Sequence, residues 1–121
     1  KLLFITGVGG VTALARSGIG PLLANPEGRV LLAASCTEIV AVAKAEGVAL
    51  GANAVDRVLA LAGTFPPEWR SSMARDLEAG RRLEVAALSG AVVRRARKHG
   101  LPAPIHQAIY ACLTPPQAGG I

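Results

Sequence analysis

A glycine-rich run, Gly7-Val8-Gly9-Gly10, follows the apolar Leu2-Leu3-Phe4-Ile5-Thr6 near the start of the chain. A strand leading into such a turn can aim backbone N–H groups at a pyrophosphate, with an acid such as Glu27 on the ribose. The match is partial, because the third glycine of G-x-G-x-x-G falls on Thr12. The same residues also suit a helix, where each interior glycine costs about 1 kcal/mol relative to alanine unless a close-packed neighbour offsets it. Both readings stand on these residues alone. Ser72 fits the N-cap of a short helix, and Glu84 fits an acid at a helix N-terminus. Cys36 and Cys112 lie far apart, without metal-ligand spacing, and read as two small buried hydrophobes in a reducing compartment. Neither His99 nor His106 has a partner at ligand spacing, so no metal and no catalytic histidine is expected.

The elements that must position these groups read as helices. Asn25-Pro26-Glu27 supplies an N-cap, a proline at the first helical position and an acid in the first turn. Leu32, Cys36, Ile39 and Ala43 then recur at helical spacing, and Gly47 supplies the stop. A further helix starts near Asn53, with Val55, Val58, Leu59 and Ala62 on one face, and ends at Gly63. Phe65-Pro66-Pro67-Glu68 reads as a turn. A short helix from Ser71 to Ala79 closes at Gly80. Val85, Leu88 and Val92 mark a longer one with a basic exit at Arg94–Lys98 before Gly100, and the last runs from Pro104 to Leu113. The pattern is all-α, five or six helices over residues 1–114, with 115–121 as a flexible tail.

Composition agrees with one domain of this class. Of 121 residues, 51% are hydrophobic and 17% charged, which excludes intrinsic disorder. The longest uncharged stretch before the tail, Leu2–Ala15, is shorter than the roughly 20 residues a bilayer needs. The net charge of +5 is spread along the chain, and its densest run, Arg94, Arg95, Arg97 and Lys98, sits where cations favour a helix C-terminus. With few aromatics to stack on bases, nucleic acid is not an expected partner. The chain starts at Lys1 with no signal-peptide pattern and reads as a piece of a longer cytoplasmic protein.

The stretch Ser71-Ser72-Met73-Ala74-Arg75-Asp76-Leu77-Glu78-Ala79-Gly80-Arg81-Arg82-Leu83-Glu84 closely resembles the signature of the ketopantoate reductase C-terminal domain. Thr12-Ala13-Leu14, Ile19-Gly20, Asn25-Pro26, Glu46-Gly47, Ser89-Gly90 and Pro102-x-Pro104 extend the resemblance over nearly the whole chain. It implies a multi-helix domain like the C-terminal domain of 6-phosphogluconate dehydrogenase, preceded by a Rossmann domain absent from this chain. On that reading Gly7–Gly10 is helical and binds no nucleotide.

The resemblance also implies chemistry: reduction of a 2-oxo acid, ketopantoate to pantoate in pantothenate biosynthesis, with NADPH held mainly by the upstream domain. Lys1 falls at the family's catalytic lysine, whose ammonium group stabilises the developing alkoxide and delivers the proton. Glu84 falls at the catalytic acid that binds the substrate's hydroxyl, and Ser72 at the substrate-contacting serine. Asp76 reads as structural, paired with a nearby arginine. Ile5, Ile19 and Trp69 stand where the family has asparagines lining the substrate site, so a more apolar pocket is expected. The implied partners are a small 2-oxo acid, the chain's own Rossmann domain and, through the exposed cleft face, a second copy. Two other readings remain: a helical interaction or dimerisation module that kept the scaffold without the activity, and a dinucleotide-binding domain built on Gly7–Gly10.

Overall fold

The computed structural model describes residues 2–81 and 83–119. Within them the chain forms α1 (Leu2–Ala15), α2 (Ile19–Ala24), α3 (Pro26–Ala45), α4 (Ala54–Ala62), α5 (Ser72–Glu78), α6 (Ser89–Lys98) and α7 (Pro104–Gly119), with no strand among the described residues. The all-α expectation holds.

The glycine run explains the packing. α1 is the central helix, and its three glycines face three different partners. A Cβ on Gly7 would lie 2.6 Å from Cys36 Sγ on α3, and one on Gly10 would lie 2.7 Å from Ile109 Cγ2 on α7. Gly9 faces Ser71 at the head of α5. The missing side chains thus let α3, α5 and α7 close on α1, and the helix recovers in packing what glycine costs it in propensity. Val8 and Val11 beside them are fully buried, with Leu32, Val85 and Ile109 in the same core.

Local signals set several ends as expected. The Asn25 side chain accepts from the Glu27 N–H at 3.0 Å. Gly47, Gly80 and Gly100 each take positive φ where a helix must stop. The basic run occupies the last turn of α6.

Four features depart from the sequence reading. α2 was not foreseen; its first N–H groups, Ile19 and Gly20, donate to the carbonyls of Trp69 and Pro67, so a distant loop satisfies them. α6 begins at Ser89 rather than at Glu84. Leu83 and Val85 both point into the core, which turns Glu84 between them outward, and a turn at residues 85–88 follows. α7 continues past Pro115 and Pro116 to Gly119, although prolines remove two backbone donors there. Of the two cysteines, Cys36 is buried but Cys112 is exposed. Cys112 lies at the edge of the α7 face whose Ile109 and Leu113 enter the core.

Buried His106 and Glu38 are both hydrogen-bonded. His106 is fully buried, its Nδ1 3.0 Å from Ser89 Oγ and its Nε2 2.9 Å from the Ser35 carbonyl oxygen. Glu38 on α3 accepts from the N–H groups of Ile105 and His106 at 2.7 and 3.0 Å, capping α7 from another helix.

Candidate active site

The loop between α4 and α5 builds one wall of a small hollow. Gly18 and Gly20 allow Pro67 and Glu68 to dock against α2, since a Cβ on either glycine would approach the Pro67 backbone or ring at 2.6 Å. That docking fixes Trp69, whose ring meets Phe65 edge-on at 4.8 Å and lies 6.0 Å from Phe4 of α1. The hollow beside it, about 90 Å³, is lined by Phe4, Ile5, Gly9, Trp69, Ser71, Ser72, Met73 and Leu88.

Ser71 and Ser72 play different parts. Ser71, not Ser72, caps α5: its hydroxyl accepts from the Ala74 N–H at 3.1 Å. The same oxygen lies 2.7 Å from Thr12 Oγ1 and donates to the Gly9 carbonyl at 3.1 Å. Ser72 is therefore released from the cap role that the spacing suggested, and stands exposed at the first helical position on the rim of the hollow.

The other expected site residues are distributed unevenly. Lys1 lies outside the described residues. Glu84 is exposed and outside the lining of this hollow. Asp76 is structural as expected, accepting from Arg81 Nε at 2.9 Å. Of the three residues expected at asparagine positions of the family, Ile5 and Trp69 line the hollow, whereas Ile19 is buried in the core at 1% exposure. Met73 and Leu88 were not expected at the site, because nothing in their spacing separates a lining residue from a core one.

On the far side of α1 lies a larger groove of about 470 Å³, bounded by residues that include Leu3, Thr6, Val42, Val48 and Val92. Leu88 borders both spaces. Glu46 closes one end, bonded to Arg95 at 2.8 Å and to His99 at 3.2 Å; the Arg95 hydrogen bond holds its carboxyl below the usual range. Among the described residues no group of three or more histidine, cysteine or acidic side chains could hold a metal, and no helix is long and apolar enough to cross a membrane.

Residues 1–117 match the family model described as ketopantoate reductase PanE/ApbA C terminal. The chain belongs to the ketopantoate reductase C-terminal family. Over 105 residues this family member is 41% identical to a 2-dehydropantoate 2-reductase of Halobacterium salinarum, which covers 87% of the chain and 34% of that relative. It is 32% identical over 113 residues to the uncharacterized oxidoreductase YkpB of Bacillus subtilis, covering 93% of the chain and 37% of the relative. The chain thus spans about a third of the length of these relatives. Among solved structures, a dimeric ketopantoate reductase from Staphylococcus aureus superposes with a TM-score of 0.91 at 33% identity, over 99% of this chain and 42% of that one. A D-mandelate dehydrogenase shares the fold with a TM-score of 0.83 at 18% identity.

Proposed function

We propose that this ketopantoate reductase C-terminal domain binds the substrate of an NADPH-dependent 2-oxoacid reductase that converts ketopantoate to pantoate in the cytoplasm. Supporting this reading is the family match over residues 1–117, together with the Ser72 hydroxyl on the rim of a hollow formed by α1, α5 and the Trp69 loop. The described residues do not fit the cofactor's phosphates. Gly7–Gly10 lies inside α1, and the space above Gly7 and Gly10 is filled by Cys36 and Ile109. Nucleotide binding is therefore assigned to a Rossmann domain of the same polypeptide, and a second copy of the chain is the expected assembly partner.

The chain's own residues supply binding and the proton. Lys1, at the position that the family resemblance gives to the catalytic lysine, is assigned the proton. Its ammonium group stabilises the oxygen of the reacting carbonyl and donates the proton that completes the alcohol. Ser72 donates to the substrate's carboxylate, and Glu84 holds the hydroxyl and orients Lys1.

The deciding experiment is NADPH oxidation with ketopantoate by the full-length protein and its Lys1→Ala variant. The variant is expected to lose about 100-fold or more in kcat. Full activity in the variant would remove Lys1 from the mechanism, and inactivity of the parent with every 2-oxo acid tried would overturn the reading.

A further inference from the structure

Resting on the reductase reading and its assignment of Glu84, we propose that His106 and Ser89 are positioning residues for the substrate's hydroxyl. Their buried hydrogen bond sets where the turn bearing Glu84 and Leu88 stands against α1. The turn has little of its own to hold it. Leu88 occupies the N-cap of α6 and, as leucine, offers no capping oxygen. Ser89 instead turns its hydroxyl inward, 3.0 Å from His106 Nδ1 on α7, and both residues are fully buried. The next N–H, of Gly90, donates to the Val85 carbonyl at 2.8 Å, and those of Ala87 and Leu88 donate to the Glu84 carbonyl at 3.1 Å. Glu84 thus begins a short turn whose far end is fixed at Ser89.

The other side of the imidazole reaches α1. Nε2 lies 2.9 Å from the Ser35 carbonyl oxygen, which can only accept, so Nε2 carries the proton and Nδ1 accepts from Ser89. The Ser35 hydroxyl, 3.1 Å from the same Nε2, donates in turn to the Gly7 carbonyl at 2.8 Å. One chain of buried hydrogen bonds therefore runs from Gly7 through Ser35 and His106 to Ser89. It joins α1, whose Phe4, Ile5 and Gly9 line one wall of the hollow, to the turn whose Leu88 lines another. Deleting a member of so buried a network leaves its neighbour unpaired, and a shift of the turn is the ready relief. Ser72 is anchored separately, because its neighbour Ser71 bonds to Ala74, Thr12 and Gly9. The contacts weakened by such a shift are therefore those of Glu84.

Ketopantoate and trimethylpyruvate differ by that single hydroxyl and serve as the probes. Full-length protein with saturating NADPH is expected to favour ketopantoate by about ten-fold or more in kcat/KM, and Glu84→Ala to remove the preference. Ser89→Ala, and His106→Gln, which lacks an acceptor where Nδ1 stands, should each cut the preference at least about three-fold. His106→Asn, whose amide oxygen takes the place of Nδ1, should keep it. Glu84 also orients Lys1, so both acids slow in the first two variants, and the ratio isolates the hydroxyl. A merely structural role would lower the active fraction for both acids alike and leave that ratio unchanged. An unchanged ratio in Ser89→Ala and His106→Gln, beside a collapsed one in Glu84→Ala, overturns the inference and leaves the reductase reading intact. No preference in the parent overturns the inference together with the Glu84 assignment, and turnover of neither acid overturns the whole reading with it.

Discussion

The Thr12 and Ser71 hydroxyls meet at 2.7 Å inside the core, joining the last turn of α1 to the head of α5 across 59 positions of sequence. Through this contact the buried serine of the pair Ser71-Ser72 anchors α5, and its neighbour is carried to the rim of the hollow. Structure and the proposed substrate contact are thus divided between adjacent residues.

Substitution should separate the two roles. Ser71→Ala loses the α5 cap and the contact with Thr12, and is expected to cost about 2 kcal/mol in urea unfolding. Ser72→Ala, at an exposed position, should change stability by less than about 0.5 kcal/mol while lowering kcat/KM of the full-length enzyme.

Gly10 is a packing requirement of the α1–α7 contact. Gly10→Ala would gain helix propensity but push into Ile109, and should destabilise by about 2 kcal/mol. In the double variant Gly10→Ala/Ile109→Ala the new methyl group enters space vacated by the isoleucine. The pair should be clearly more stable than the sum of its single effects, as a double-mutant cycle would show.

Burial holds the His106 pKa below the ordinary 6.5, because the charged ring would lose hydration. The unfolded chain then binds the proton more readily than the folded one. The stability His106 supports is complete above pH 6.5 and declines as pH falls from there towards the folded pKa, with a slope of at most about 1.4 kcal/mol per pH unit. Denaturant titrations between pH 7.5 and 5 should show this loss, and His106→Gln should flatten it.

Thiol reactivity should follow burial. Desolvation pushes the Cys36 thiol up to about 11, so it stays protonated as well as covered. An aromatic disulfide reagent is expected to label Cys112 in the native protein and both cysteines in urea. Rapid labelling of Cys36 without denaturant would contradict its position against Gly7.

Much of the fold was legible wherever a helix carries its own signals. Asn25-Pro26-Glu27 announces α3, and the glycines with positive φ announce ends. α2 was hidden because its N–H partners are the carbonyls of Pro67 and Trp69, far along the chain. The site was legible as a motif but not in depth. The family resemblance singled out Ser72 without telling which hydroxyl of Ser71-Ser72 turns inward, and set Ile19 beside Ile5 although only Ile5 reaches the hollow. The direction of a side chain in a short or irregular segment is decided by its neighbours, as Leu83 and Val85 decide it for Glu84.

Glu38 holds the first N–H groups of α7 from a helix nearly seventy residues earlier. On the ribosome, then, α1 and α3 emerge with their glycine-lined and carboxylate-bearing surfaces uncovered, and wait for α7 to be translated before the core can close. Until then the exposed Gly10 face is open to wrong partners, and chaperone dependence during synthesis is the expected cost of interlocking α1 with α7.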